Sequence, residues 1–405
     1  MILRDIDSLT KADIENLISN QVTESKQLEY KRDLPDRIDS AKKEFLADVS
    51  SFANASGGDI IFGLEAELDD GSSVGYPTAV HPVASESIDD VKLWIEEVVR
   101  SGLEPRLAVQ IREISGFGDD GNGCVILMRI PKSFASPHVV KLKGSFKFFS
   151  RHSAGKFQLD VDELRSHFLA TDSQAERIRR FRQERLGKIL AGETTVQLSS
   201  KMVAVLHLIP LGPFLNNDRL PLSEFEYAQH FMPLGGYGSK RFNLDGSLSF
   251  SDHPHQPDKH DGYCQLFFNG AVETVSSSLV QGRSDADSDD FVGSLASVHY
   301  EQEIIDAVRR YLNGYKQLGI NSPISVSFSM LNSMGVMMYV GQRHSFRRKP
   351  ATLDRQVANF PDVVLPDADV EATEVLKPLF DSVWNAFGFP RSLNYGEDGK
   401  WNPRG

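Results

Sequence analysis

The residues best suited to chemistry are carboxylates and a lysine near the start of the chain. Glu24 and Glu29 lie five residues apart, and Lys31 follows two residues after Glu29. In a strand over residues 27–32, period-two alternation places Glu29 and Lys31 on one face. Carboxylates that converge at strand ends are hard oxygen ligands for Mg²⁺ or Mn²⁺, and such an ion can activate a bound water. A neighbouring lysine can stabilise the charge on a phosphate under attack.

A second strand brings further acidic residues into the same region. The sequence DIIFGLE over residues 59–65 predicts a mostly buried strand. Alternation along that strand places Asp59, Gly63 and Glu65 on one face. The alternative interpretation is structural: Glu24, Glu29 and Lys31 would be solvated or ion-paired on an exposed sheet face, with no catalytic role.

A basic segment follows later in the chain. No acidic residue lies between Pro131 and Leu159, although the chain as a whole has a formal net charge of −12. Basic side chains bind phosphates by releasing counterions, and an exposed aromatic ring can stack on a base. The alternative is a hairpin with a solvated basic face and phenylalanines in the core. The residues expected to bind nucleic acid are Lys132, Lys141, Lys143, Lys147, Arg151 and Lys156, with Phe146, Phe148 and Phe149 among them.

Alternating helices and strands must position these groups. Phe45, Val49 and Phe52 recur at helical spacing, which predicts a helix over residues 39–55 that ends at Gly57-Gly58. Hydrophobic patterning predicts a hairpin from residues 107–114 and 124–130, then a strand over 145–150. Two helices are expected over 160–168 and 173–190, because Ser173 and Glu176 form a capping-box pattern. Residues 251–261 and 281–290 are expected to be polar loops.

Composition narrows the class of protein. The 405 residues are 40% hydrophobic and 25% charged, which is typical of a globular protein with two or three domains. Two cysteines exclude a disulfide scaffold and favour a reducing, cytoplasmic location. No apolar run approaches the roughly 20 residues of a membrane span, and the N-terminal residues lack a signal-peptide pattern. The negative net charge argues against a protein that coats nucleic acid by bulk positive charge.

Two linked sequence strings carry a family resemblance. The first is Glu24-Ser25-Lys26-Gln27-Leu28-Glu29-Tyr30-Lys31, and the second is SFANASGG over residues 51–58, followed by Ile60-Ile61-Phe62-Gly63. Together they resemble the Schlafen-type AlbA-like domain over roughly residues 15–170. The resemblance extends to Pro137-His138 and to FSRHS at 149–153. It implies an α+β fold with a mixed sheet, and a second α+β domain is expected after it.

The resemblance also implies a site. In nuclease-competent Schlafens two motif glutamates and a third acid hold the metal, which implies that Glu24, Glu29 and Glu65 bind Mg²⁺ or Mn²⁺ here, with Lys31 assisting catalysis. The third acid falls at or next to Glu65, and Glu67 is the alternative. Related proteins are often labelled ATP-binding, but the sequence has no G-x-x-x-x-G-K-[ST] pattern, so no ATP site is recognised.

The expected domains are a Schlafen AlbA-like domain over 1–172, an Arg-rich connector helix over 173–192 and a C-terminal α+β domain over 193–405. Two functions are consistent with this organisation. One is a metal-dependent endoribonuclease that acts on structured RNA such as tRNA, by family analogy in anti-phage defence. The other is a non-catalytic regulator that binds DNA or RNA through the basic segment. Schlafen nuclease cores pair two lobes, so a homodimer is a further hypothesis.

Overall fold

The computed structural model divides the chain into two compact units, Met1–Gln174 and Ala175–Gly405. We call them the N-terminal unit and the C-terminal unit. The α+β class predicted from the sequence is confirmed. The residues that the structure describes are 6–68, 75–83, 88–118, 121–152, 155–216, 218–222, 229–281, 293–320, 322–340 and 351–403.

The N-terminal unit is built on a mixed four-stranded sheet. Its first strand pairs in parallel with the second, and the remaining pairs are antiparallel. In spatial order the strands are β1 (Leu28–Lys31), β2 (Gly58–Phe62), β7 (Gly123–Ile130) and β6 (Gln110–Phe117). A second sheet of four strands lies in the same unit: β10 (Gly155–Gln158), β9 (Ser145–His152), β8 (Val139–Leu142) and β5 (Leu103–Glu104).

Both faces of β2 are buried, which explains its continuous hydrophobic run. Ile60 and Phe62 pack into one core cluster with Phe45 and Phe52, whereas Ile61 packs into another. Because side chains alternate along a strand, each cluster takes every second residue. The helices that contribute to these clusters are α1 (Lys11–Ser19), α2 (Asp39–Asn54) and α3 (Ile88–Gly102).

The strand expected over residues 59–65 ends earlier than the sequence pattern suggested. Gly63 has φ +95°, a conformation that favours glycine, and it separates β2 from the next strand. The chain then forms a separate two-stranded sheet from β3 (Leu64–Leu68) and β4 (Gly75–Val80). Glu65 therefore belongs to a different sheet from Asp59, and the shared face expected for them does not form.

One continuous helix replaces the two helices expected over residues 160–190. The helix α4 runs from Val161 to Leu190, across the boundary at Gln174. Its start is a reciprocal cap in which Asp160 accepts from the Glu163 amide and Glu163 accepts from the Asp160 amide. The capping-box pattern at Ser173 and Glu176 does not start a second helix.

A large antiparallel sheet and two long helices form the core of the C-terminal unit. In spatial order the strands of this sheet are β12 (Ser239–Phe242), β13 (Gly246–His253), β14 (Gln256–Phe267), β15 (Val272–Ser276), β11 (Val203–Pro210), β18 (Ile324–Leu331) and β20 (Val357–Asn359). A further strand, β21 (Val363–Leu365), also pairs with β18. The remaining elements are β16 (Val280–Gln281), β17 (Ser294–Ala296), β19 (Met337–Tyr339), α5 (Leu211–Asn216), α6 (Ser297–Gln317) and α7 (Ala372–Ala386).

The first of the two expected polar loops is a β-hairpin. Residues 251–261 lie in β13 and β14, which pair in antiparallel register from Gly246↔Phe267 outward. Cross-strand pairing offsets the low β-propensity of its many charged residues. Of the second expected loop, residues 282–290 lie outside the described part of the chain. Within the described residues, no helix is both long enough and apolar enough to cross a membrane.

Candidate nucleic-acid interface

The parallel pairing of β1 with β2 positions the first two predicted site residues. Leu28 and Tyr30 are buried, so the alternate residues Glu29 and Lys31 share the other face. Lys31 Nζ lies 2.6 Å from Glu29 Oε1, and Arg151 donates to Glu29 Oε2 at 2.7 Å. The guanidinium of Arg151 also stacks on the Phe52 ring, with its Cζ 3.6 Å from the ring centroid. Glu29 is therefore held between two cations.

A third carboxylate, Asp48, joins this group from α2. Its Oδ2 lies 3.6 Å from Lys31 Nζ, and its Oδ1 accepts from Lys156 at 2.6 Å. Lys156 also contacts the Glu44 carboxylate at 2.5 Å. We call this group the ion-pair cluster; its members are Glu29, Lys31, Glu44, Asp48, Arg151 and Lys156. Three acids and three cations balance, so the cluster carries no excess positive charge for a phosphate.

Sequence reasoning did not identify Asp48 or Glu44. Asp48 follows Phe45 by three residues and precedes Phe52 by four, so it lies on the apolar stripe of α2. A charged residue on a buried stripe needs a partner, because burial of an unpaired charge is costly. The position of Asp48 on the apolar stripe could therefore have identified it as a buried, paired residue, and in the structure it is buried and paired.

The ion-pair cluster shifts the pKa values of Glu29 and Asp48 in opposite directions. Burial alone would raise the pKa of Glu29, but Lys31 and Arg151 hold it below its ordinary value. The pKa of Asp48 is raised, because burial and the charge of Glu29 outweigh Lys31 and Lys156. Burial would lower the pKa of Lys31, yet Asp48 and Glu29 raise it, so its ammonium stays charged.

The other two predicted metal ligands have different partners. Glu24 accepts from the Tyr30 amide at 3.0 Å and from the Gly75 amide at 3.3 Å, which fixes the turn before β1. Glu65 lies 3.4 Å from the Arg32 guanidinium. Glu67, the alternative third acid, is exposed on β3.

The predicted ligands do not fit a shared metal ion in this arrangement. A divalent ion needs several carboxylate oxygens directed at one point. Each oxygen of Glu29 instead contacts a cation, and each oxygen of Glu24 accepts from a backbone amide. In the described part of the chain, no three His, Cys, Asp or Glu side chains form a group that could hold a metal.

The six predicted nucleic-acid-binding residues are divided among four places. Arg151 and Lys156 belong to the ion-pair cluster. Lys132 lies over the Phe134 ring, with Nζ 5.7 Å from the ring centroid, and Lys147 is exposed on β9. Lys141 on β8 and Lys143 in the following turn lie at an open cavity. The segment is basic in sequence, but alternation along its strands prevents one continuous basic surface.

This cavity has a volume of about 620 Å³ and lies between the end of α3, β5 and the β8–β9 hairpin. We call it the basic cavity. Glu104 on β5 is its single acidic lining residue, and it pairs with Lys141 at 3.1 Å. Arg100 and Arg106 were not identified from the sequence, because they lie outside the basic segment. The charged and aromatic lining residues are Arg100, Glu104, Arg106, Lys141, Lys143 and Phe146.

A buried asparagine holds the sheet that carries these residues against α2. Asn54 donates to the His138 and Phe149 carbonyls at 3.0 and 2.8 Å and accepts from the His138 amide at 2.7 Å. These bonds connect the end of α2 with β9 and with the loop before β8. The adjacent Gly57 has φ +69° and approaches the backbone of Lys132 closely.

Comparison with known proteins identifies the N-terminal domain. Residues 24–160 match the sequence model of the family described as Schlafen, AlbA_2. The chain therefore contains a Schlafen AlbA_2 domain, as the two sequence strings predicted, and this domain supports a nucleic-acid-related function.

The search of curated proteins found no match. Among solved structures, the chain is similar to the NMR structure of the N-terminal domain of an ATP-dependent DNA helicase RecG-related protein from Nitrosomonas europaea. The identity is 19% and the TM-score 0.26, over 38% of this chain and 94% of that chain.

Proposed function

We propose that the N-terminal unit binds nucleic acid, RNA in preference to DNA, and that the phosphate backbone is held at the basic cavity. The observation that carries this proposal is the excess of positive charge there: four cations line the cavity, and two carboxylates face them, Glu104 paired with Lys141 and Asp39 paired with Lys143. Cations that are not neutralised by the protein can exchange their counterions for phosphates. The ion-pair cluster is electrically balanced and offers no such excess.

The test is a binding titration of the full chain by fluorescence anisotropy with a labelled single-stranded RNA. We expect the double variant Lys141→Gln with Lys143→Gln to weaken binding by roughly tenfold and to reduce the salt dependence of log K by about 1.4, since each phosphate contact in a single strand contributes about 0.7. Both side chains are exposed, so the fold should persist.

The matched control removes two equally exposed charges elsewhere. Lys188→Gln with Lys201→Gln has the same net charge change and lies outside the basic cavity. Equal weakening by the two double variants would indicate a bulk charge effect and would contradict the proposal. A DNA of the same sequence, titrated in parallel, tests the preference for RNA.

A second candidate function is an endoribonuclease, and the ion-pair cluster favours it. Two of its three carboxyls, Glu29 and Asp48, have pKa values shifted in opposite directions, an arrangement found where one group acts as a base and another as an acid. Lys31 and Arg151 next to them could stabilise the charge of a phosphate under attack. Dependence on Mg²⁺ or Mn²⁺, a role in anti-phage defence and a cytoplasmic location remain predictions from the sequence.

Cleavage of labelled tRNA in the presence of Mn²⁺, Mg²⁺ or EDTA tests this candidate. If the protein is a nuclease, Glu29→Gln should reduce the rate by at least about 100-fold, because it removes a charge from the centre of the cluster. Glu67→Gln is the control, because Glu67 is an exposed acid outside the cluster. Intact tRNA under every condition would leave binding as the function.

A further inference from the structure

One aromatic side chain at the basic cavity is exposed. Phe146 is 63% exposed, and it lies directly across from Lys141 in the β8–β9 register. The two other phenylalanines of this strand are packed: Phe148 meets Phe168 edge to face at 6.5 Å, and Phe149 packs against a core cluster. Phe146 therefore presents an open aromatic face beside the four cations of the basic cavity.

The turn beside Phe146 has an unusual backbone. Lys143 has φ +48° and Gly144 has φ +75°, and together they connect β8 to β9. Two-residue hairpin turns of this kind favour Asn-Gly, because a side chain such as that of lysine is strained at positive φ. Lys143 pairs there with Asp39, the first residue of α2. The hairpin tip thus presents an ammonium group at the cavity despite a local backbone cost.

We propose that the basic cavity binds an unpaired nucleotide of a single-stranded nucleic acid, with the base stacked on Phe146 and the adjacent phosphates held by Arg100, Arg106, Lys141 and Lys143. This inference rests on the proposed binding function and specifies its substrate class. A cavity of about 620 Å³ lies within the range of small-ligand sites, roughly 300–1,000 Å³.

Stacking on an exposed ring selects for single strands. The bases of a duplex are stacked on one another and cannot present a face to Phe146, whereas a base in a single strand or a loop can. Phosphate contacts alone do not distinguish a single strand from a duplex, because both have a phosphate backbone. The ring therefore determines which form of nucleic acid binds, and the cations determine how strongly any form binds.

The experiment compares variants at Phe146 on a single-stranded RNA and on a duplex of the same sequence. We expect Phe146→Ala to weaken single-strand binding by about 5- to 100-fold, the usual range for loss of one stacked base, and to leave duplex binding unchanged. Phe146→Trp should retain single-strand binding, and the fluorescence of the new indole should be quenched when RNA binds. Circular dichroism of each variant checks the fold.

The outcomes separate this inference from the proposed function. If Phe146→Ala has no effect while the Lys141 and Lys143 double variant loses affinity, the cavity holds phosphates only and the stacking inference is wrong. Equal weakening of single-strand and duplex binding by Phe146→Ala would also contradict it. If neither variant changes binding, both the inference and the proposed function are wrong.

Discussion

At the scale of single residues, one carboxylate is buried together with the side chains that donate hydrogen bonds to it. Glu273 in the C-terminal unit is fully buried and accepts hydrogen bonds from Arg185 at 2.7 and 2.9 Å, Tyr263 at 2.8 Å and His207 at 3.0 Å. Burial would raise the pKa of this carboxyl, but the bonds from Arg185 and His207 lower it to about 2. Such a group ties stability to pH.

We expect Glu273→Gln to lower the free energy of unfolding at pH 7 by about 3–5 kcal/mol, because the Arg185 charge loses its buried partner. The pKa of Glu273 is lower in the folded state than in the unfolded state. Its stabilising contribution is therefore present above about pH 4.5 and is lost as the pH falls towards about 2. Urea unfolding at pH 7 and pH 3 should show the difference between variant and wild type shrinking at the lower pH.

The control for this variant is Glu176→Gln. Glu176 pairs with Arg179 at 3.2 Å, but both side chains are more than half exposed. Exposed pairs contribute about 0–1 kcal/mol, so this substitution should change stability little at either pH. A Glu273→Gln protein as stable as the wild type at pH 7 would show that the buried pair does not stabilise the unit.

At the scale of elements, glycines at positive φ decide where strands and helices end. Gly63 ends β2, and Gly57 ends the turn between α2 and β2. A Cβ at Gly57 would lie 2.5 Å from the Lys132 amide nitrogen and 2.8 Å from the Ile130 carbonyl oxygen. The close approach of these two backbone segments therefore depends on glycine.

We expect Gly57→Ala to destabilise the protein by clearly more than about 1 kcal/mol, because the positive φ and the backbone clash add together. Gly121→Ala is a matched control: Gly121 has φ +70°, and a Cβ there meets nothing within 4 Å. The difference between the two variants in thermal unfolding isolates the clash. Equal melting temperatures would mean that the turn can move away from Lys132.

At the scale of the whole molecule, charge is distributed unevenly. The chain has a net charge of −12, yet four cations surround the basic cavity against two carboxylates, Glu104 and Asp39. A negative protein repels a polyanion at long range, so binding must depend on this local excess. Binding of a single strand through three to four phosphates should give a salt slope of roughly −2 to −3, measurable in the wild-type titrations proposed above.

The sequence by itself determined the N-terminal domain type and the shared strand face of Glu29 and Lys31. Both inferences use residues that are close together in the sequence. The two strings are short continuous motifs, and side chains two residues apart on a strand share a face. It also predicted α2 and the strand β1 to within a residue or two, because their apolar spacing is regular.

Only the tertiary structure decided which charges meet. Asp48 on α2 meets Lys31 on β1 only in the folded unit, and Glu65 is separated because Gly63 turns the chain into another sheet. Arg100 and Arg106 join Lys141 and Lys143 although about 35 residues separate the pairs in sequence. Such contacts depend on how the elements pack together. Charged side chains at helix and strand ends follow no periodic pattern, so the sequence does not show which residues will be their partners.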